Sequence, residues 1–86
     1  MSSAVTKLEK LLEKIRNVDS KWTWNELCAL LVKLGYTQEE GAGSRVKFDN
    51  GNALDLINLH RPHPSNEVKA YVIRQVREKL EKGGML

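Results

Sequence analysis

The sequence has few of the residues that build disulfide-linked or metal-dependent domains. Cys28 is the single cysteine, so neither an internal disulfide nor a cysteine metal cluster can form. The two histidines have no obvious third ligand near them, so we expect no zinc site and no other cofactor. A reducing cytoplasm is the compartment that this cysteine usage favours.

Long apolar runs are also missing. No stretch approaches the roughly 20 apolar residues that cross a bilayer, so we expect no membrane contact. The first ten residues, MSSAVTKLEK, contain charges and lack the apolar region of a secretory signal. A chain of 86 residues has room for one hydrophobic core and no second one. We therefore expect a single globular unit.

The chain has no large excess of positive over negative charge or of negative over positive. Fourteen basic and 11 acidic residues give a net charge of +3, which permits nucleic-acid binding without arguing for it. The distribution is more informative, because six basic residues stand against three acidic ones between positions 45 and 77. A phosphate-binding surface, if there is one, is expected in that region.

Two helices are predicted before the middle of the chain. The first covers residues 5–16 and ends at the break over 17–21. Its apolar positions are Val5, Leu8, Leu11, Leu12 and Ile15. The second is WTWNELCALLVKLGY, where Thr23 and Glu26 form a capping box and Gly35 is a left-handed stop. A staple between Trp22 and Leu27 is expected at its start. Its apolar stripe is Trp24, Leu27, Cys28, Leu31 and Leu34.

Three extended segments follow. The first two, over 36–40 and 45–49, are joined by a glycine-rich turn at 41–44. The sequence DNGN at 49–52 is a strong hairpin signal and leads into a third strand over 53–60. Alternation in the third strand is imperfect. Either both of its faces are partly covered, or a bulge near Leu56–Ile57 switches them.

The last third of the chain predicts a final helix. Pro62 and Pro64 end the sheet, and Ser65 or Asn66 caps the helix. Its core stripe is Val68, Tyr71, Val72, Val76 and Leu80, and the two glycines at 83–84 end it. The order α-α-β-β-β-α predicts an α+β fold, in which a three-stranded antiparallel meander packs its helices on one face.

Three motifs carry a family resemblance. They are LLVKLGY, GSRVKF and LHRPHPSNEVKAYVIRQVREKL, of which Pro-His-Pro followed by a helix with an early lysine is the most specific. In these motifs the chain, from about Trp22 to Leu80, resembles the HicA family of toxin–antitoxin mRNA interferases. The resemblance implies a fold similar to the double-stranded RNA-binding domain, α-β-β-β-α, over residues 22–82, with residues 1–18 as an additional N-terminal helix.

The same resemblance implies a function. A HicA-like chain would be the toxin of a type II toxin–antitoxin system, which cleaves mRNA without a metal and so inhibits translation. A HicB-like antitoxin would neutralise it. We expect a monomer when the toxin is free and a hetero-oligomer with the antitoxin.

One residue departs from the family pattern. In the family a histidine usually follows Gly-Ser and is taken as catalytic, whereas here Arg45 occupies that position. Cleavage of RNA through its own 2′-OH needs a base and an acid near neutral pH, which suits histidine. Arginine stays protonated and cannot be the base, but it can stabilise charge on the phosphorane. The candidate catalytic residues are therefore Arg45, His60 and His63, with the proton transfers assigned to His60 or His63.

The candidate RNA-binding residues are Arg45, Lys47, Arg61, Lys69 and Arg74. Each of these assignments has a structural alternative. The basic strand residues are equally typical of a solvated strand face, and the two histidines of a strand end and a proline-flanked turn. Ser44 has no aspartate–histidine pattern around it and is predicted to be a turn residue.

Three functions remain open from the sequence. The chain is an RNA-cleaving toxin, or an RNA-binding module that does not cut because Arg45 replaces the base, or a subunit that contacts only the antitoxin. The histidines favour the first, and Arg45 favours the second.

Overall fold

The structure, a computed structural model, describes residues 6–86. Its elements are α1 (Lys7–Arg16), β1 (Trp22–Thr23), α2 (Trp24–Lys33), β2 (Thr37–Glu40), β3 (Arg45–Asp49), β4 (Ile57–His60), β5 (Glu67–Val68) and α3 (Ala70–Lys82). Strands β2, β3 and β4 form an antiparallel sheet in that order. The predicted α+β domain with a three-stranded meander is thus confirmed.

The start and the end of α2 follow the prediction. The Thr23 hydroxyl accepts a hydrogen bond from the Glu26 amide at 3.3 Å, and the Glu26 carboxylate accepts one from the Thr23 amide at 3.0 Å. Gly35 follows the helix with a φ of +101°, a conformation that glycine adopts without steric cost. A second capping box, formed by Thr6 and Glu9 at α1, was not predicted. Val5, which the sequence placed on α1, lies outside the described residues.

Helix α1 docks through its apolar stripe and one ion pair. Leu11 and Ile15 are buried in the core cluster, and Leu8 and Leu12 pack against it. Lys14 Nζ lies 2.7 Å from a Glu26 carboxylate oxygen and 5.1 Å from the centre of the Trp22 ring. The capping carboxylate of α2 is therefore also the anchor for α1.

This double role predicts a pH-dependent stability. The hydrogen bond from Lys14 and the Thr23 amide lower the pKa of Glu26 below its ordinary 4.5. A lowered pKa stabilises the fold above the unfolded value, and this stability is lost as pH falls through the folded pKa. Glu26→Gln keeps the cap but not the charge. We expect it to lower the free energy of unfolding at pH 7 by at most about 1 kcal/mol, since the pair is partly exposed.

Urea unfolding of both chains at pH 7 and pH 3.5 measures this effect. The difference between them should shrink at the lower pH. Glu78→Gln is the matched control, because within residues 6–86 the Glu78 carboxylate has no ion-pair partner. A Glu26→Gln difference that is equal at both pH values would contradict the linkage.

The core lies between one face of the sheet and the three helices. Alternation in β3 buries Val46 and Phe48, and the same alternation in β4 buries Ile57 and Leu59. The Trp24 ring meets Phe48 edge-on with a centroid distance of 6.1 Å. In the predicted α2 stripe Cys28 and Leu34 are only partly buried, whereas Leu30, which was not assigned to it, is fully buried. Within residues 6–86 no helix covers the opposite face of the sheet, where the alternate side chains of β3 and β4 are exposed.

The third strand is shorter than predicted. Only Ile57–His60 pairs with β3, and Ala53–Asp55 is a 3₁₀ turn in place of a strand with a bulge. Asn and Asp side chains explain this, because they bond the local backbone and compete with strand formation. The Asn52 side chain accepts from the Leu54 amide at 3.0 Å. The Tyr36 hydroxyl donates to the Asp55 carbonyl at 2.8 Å. Leu54 is consequently 81% exposed.

The start of the last helix also differs. Neither Ser65 nor Asn66 caps it, because Glu67–Val68 pairs with Trp22–Thr23 as a short antiparallel ladder and delays the helix to Ala70. This ladder was not predicted. Residue Lys69 takes the cap position without a side-chain hydrogen bond. The core stripe of α3 is Ile73, Val76 and Leu80, so the assignment of Tyr71 to the core was wrong, and Val72 is only partly buried.

Candidate functional site

The exposed face of the sheet carries the residues that the sequence placed on the solvent side of β3. Arg45 and Lys47 point outward from β3, as their alternation with Val46 and Phe48 predicted. Strand β4 adds Asn58 and His60 to the same face, since its own buried positions are Ile57 and Leu59. A shallow groove of about 520 Å³, here the strand-face groove, runs along this surface. Its lining includes Glu39, Gly41, Arg45, Lys47, Asn58 and His60.

Arg45 and His60 are direct cross-strand partners in the β3–β4 register. In an antiparallel pair such residues have their Cβ atoms about 5 Å apart and on the same face. The ladder continues one step further, because the Arg61 amide donates to the Ser44 carbonyl at 2.7 Å. The side chains of Arg45 and His60 therefore leave the exposed face of the sheet next to each other, from neighbouring strands.

The turn before β3 joins β2 to β3 at this end of the sheet through a backbone hydrogen bond. The Gly41 amide donates to the Arg45 carbonyl at 2.8 Å, and a Cβ at Gly41 would approach the Arg45 Cβ to 3.3 Å. Gly43 has a φ of +65°, in the left-handed region that favours glycine. The glycines thus serve the turn, as predicted, and they let the backbone pass close to Arg45.

Ser44 contacts the His60 ring. Its Oγ lies 3.1 Å from His60 Nδ1, and both side chains are exposed to solvent. A proton on Nδ1 can be donated to Ser44 Oγ, which leaves the lone pair on Nε2 free to accept a proton. This contact fixes the direction of the ring. Ser44 was predicted as a turn residue, and its contact with His60 could not be predicted without the strand register.

The cations around the strand-face groove are not equally free. Lys47 Nζ lies 3.4 Å from a carboxylate oxygen of Glu39, its cross-strand neighbour in β2. Arg61 reaches both Glu40 carboxylate oxygens at 2.8 Å. Arg45 has no ion-pair partner among residues 6–86. The sequence suggested a uniformly basic face. The structure differs, because β2 brings carboxylates next to two of the predicted phosphate ligands.

A second groove is lined by four of the predicted residues. It lies between the end of β4, the segment 61–65 and the start of α3, and it measures about 360 Å³; we call it the α3 groove. The predicted residues are His60, Arg61, His63 and Lys69, and the lining also includes Asn58, Tyr71 and Gln75. His60 and Asn58 belong to both grooves. The two predicted histidines thus line the same groove, and His60 also lines the strand-face groove together with Arg45.

Arg74 is not part of this arrangement. It lines a separate groove of about 310 Å³ with Val18, Ser20 and Arg77. Arg77 in turn donates from Nε to the Ile15 carbonyl at 2.5 Å and ties α3 to the end of α1. The predicted RNA-binding set is therefore divided between two regions, and Arg74 belongs to the one without histidines.

Other chemistry on the described surface is sparse. Burial raises the pKa of the Cys28 thiol, which is against a reactive thiolate at this half-buried position. Within residues 6–86 no group of three or more His, Cys, Asp or Glu side chains is placed to hold a metal ion. None of the helices in the same residues is long and apolar enough to cross a membrane.

Tyr71 is the surface residue that the sequence prediction missed. A signal for it was present, because Tyr71, Gln75 and Glu78 follow each other at helical spacing and are all exposed. That polar continuation marks a solvent face, while Ile73, Val76 and Leu80 mark the buried one.

Comparison with known proteins supplies the context for these residues. The family model described as HicA toxin of bacterial toxin–antitoxin matches residues 24–84. The match covers most of the chain and leaves out α1 and β1. No curated protein and no solved structure gives a significant match.

Proposed function

Because this chain belongs to the HicA family of toxins from bacterial toxin–antitoxin systems, we propose that it binds mRNA and cleaves it through the 2′-OH of the RNA itself. The observation that carries this proposal is the cross-strand pair Arg45–His60. The family position for a histidine holds Arg45, and the residue directly across the ladder is a histidine. A cation and a titratable base thus stand at one end of the sheet face.

The proposed reaction needs one base, one acid and one cation. His60 Nε2 accepts the proton of the 2′-OH, and the 2′-oxygen attacks the adjacent phosphorus. Arg45 stabilises the charge that develops on the phosphorane oxygens. The bond from phosphorus to the 5′-oxygen breaks, and this oxygen takes a proton from His63. The products are a 2′,3′-cyclic phosphate and a free 5′-hydroxyl.

Supporting roles follow from the contacts around this centre. Ser44 acts as a positioning residue, since its contact with Nδ1 aims Nε2 away from the turn. Arg45 and Lys69 are the phosphate ligands, because neither has a carboxylate partner among residues 6–86. Lys47 and Arg61 must exchange Glu39 and Glu40 for phosphate before they bind RNA. We expect them to contribute less.

A HicB-like antitoxin is the proposed partner. Among residues 6–86 no helix covers the exposed sheet face, and the strand-face groove and the α3 groove are lined by the residues assigned to cleavage. A partner that presents carboxylates to Arg45 and Lys69 would exclude RNA from both grooves. The free toxin is then a monomer, and the inactive form is a hetero-oligomer.

One observation favours a second function. Arg45 stands where the family keeps its catalytic histidine, and arginine cannot remove a proton. A chain that retains RNA without cutting it is the alternative, and both functions predict RNA binding. They differ in whether the histidines react.

The proposal predicts growth arrest and metal-independent cleavage. Cells that express the chain alone should stop growing, and co-expression of the antitoxin from the same operon should restore growth. Purified protein should cut single-stranded RNA in the presence of EDTA and leave cyclic phosphate ends. RNA retention without cleavage would instead support the binding module. Absence of RNA binding would overturn both.

A further inference from the structure

One aromatic side chain of this protein is left on the surface. The chain has two tryptophans, two tyrosines and one phenylalanine, and the four apart from Tyr71 are buried. Tyr71 is 53% exposed on the first turn of α3. The buried side of that helix is formed by Ile73, Val76 and Leu80, so the core does not require a ring at position 71.

The ring borders the α3 groove, whose polar lining includes side-chain amides, basic groups and the carboxylate of Glu67. Asn58 and Gln75 each present an amide that both donates and accepts hydrogen bonds. Gln75 follows Tyr71 by four residues, so the two side chains are neighbours on one helical face. No described residue hydrogen-bonds to either amide. Lys69 and His63 add positive or protonatable groups at the rim.

We propose that the α3 groove binds one unpaired nucleobase of the RNA, stacked on the Tyr71 ring. Its volume of about 360 Å³ lies in the range of small-ligand pockets. Amides recognise the polar edge of a base, and Lys69 contacts its phosphate. Aromatic stacking and edge contacts are the usual means of recognising unpaired RNA, because a base within a helix shows its faces only to its neighbours.

The position of His60 connects this base site to the proposed cleavage. His60 lines both the α3 groove and the strand-face groove that contains Arg45. A base held on Tyr71 would thus set which phosphodiester lies between His60 and Arg45. The inference rests on the proposed function and adds to it the class of substrate, single-stranded RNA with one base in a defined position.

The test measures binding, so that it does not depend on cleavage. The probes are short single-stranded RNAs with 2′-O-methyl riboses, which lack the attacking hydroxyl, and versions in which each position in turn is abasic. The proteins are wild type, Tyr71→Ala and Tyr71→Phe, with Val32→Ala as a matched control. Val32 is a similarly exposed apolar residue, 51% exposed on α2 and outside the α3 groove.

We expect Tyr71→Ala to weaken binding by about 5- to 150-fold, the range for the loss of one stacked base. Tyr71→Phe and Val32→Ala should retain the wild-type affinity. One abasic position should cost the wild type about as much as Tyr71→Ala does, and the two changes together should cost no more than either one. Alanine favours helices, so Tyr71→Ala should fold, and its melting temperature verifies this.

Three results would overturn the inference. If Tyr71→Ala binds like the wild type, the base site is wrong, while RNA binding by the wild type leaves the proposed function intact. If Tyr71→Ala weakens every abasic probe as much as the complete RNA, the ring acts on the backbone. If the wild type binds none of these RNAs and also none with native riboses, both the inference and the proposed function fail.

Discussion

Replacing His60 with alanine is expected to lower the rate of RNA cleavage by about 10²- to 10⁴-fold, the usual contribution of a positioned general base. His60 is the one histidine that lines both grooves and pairs across the ladder with Arg45. Because it is exposed at the end of β4, its removal should leave the fold intact. Single-turnover cleavage of a defined RNA measures the loss, and RNA affinity should change little.

Two further variants separate catalysis from structure. Ser44→Ala removes the contact with Nδ1 but keeps the imidazole, so it should lower kcat with little change in KM, and by less than His60→Ala does. His63→Ala should impair protonation of the leaving oxygen. Its loss should be smaller for an RNA substrate with a low-pKa leaving group. Parent-rate cleavage by both histidine variants would remove the assignment of the proton transfers to His60 and His63.

Much of the fold was predictable because its signals are local. The capping box at Thr23 and Glu26 involves residues three apart, and the stop at Gly35 follows from the conformational freedom of one residue. The alternation Arg45-Val46-Lys47-Phe48 fixed the two faces of β3 without knowledge of its neighbours. Each of these features depends on a few consecutive residues, and the structure confirms each one.

The errors in the fold prediction occur where distant or competing contacts determine the local secondary structure. The segment 53–56 was assigned to the third strand, but the Asn52 side chain and the Tyr36 hydroxyl bond its backbone and hold it in a turn. The start of α3 depends on β5 pairing with β1, two segments more than 40 positions apart. Residue pattern alone contains no information on that pairing, so Ser65 and Asn66 were reasonable but wrong caps.

The candidate site required the strand register. The sequence singled out Arg45, Lys47 and both histidines, but not which residue faces which. The register sets Lys47 opposite Glu39 and Arg45 opposite His60. Lys47 and Arg45 look alike in the sequence but differ in the structure. Lys47 is paired with a carboxylate, whereas Arg45 has no ion-pair partner among residues 6–86. Charge counts along the chain cannot show this difference.

That difference predicts a strong effect of Arg45→Ala. We expect cleavage to fall by about 10²- to 10³-fold, as for the loss of one donor to a developing oxyanion. Binding should also weaken, and the slope of log affinity against log salt should decrease by about one unit if Arg45 contacts a phosphate. Arg45→Lys keeps the charge but not the planar fork of donors, so it should recover the salt slope more completely than the cleavage rate.

Lys47→Ala is the matched control for Arg45→Ala, because it removes a cation from the same strand and the same face. Its ammonium is already compensated by Glu39 at 3.4 Å, so we expect a smaller loss of both RNA affinity and cleavage. Glu39→Gln should then increase the salt dependence of binding, since it frees Lys47 to contact phosphate. Equal losses for Arg45→Ala and Lys47→Ala would mean that the face binds RNA only through its total charge. Parent-rate cleavage by Arg45→Ala would remove the arginine from the chemistry and leave the reaction to the histidines alone.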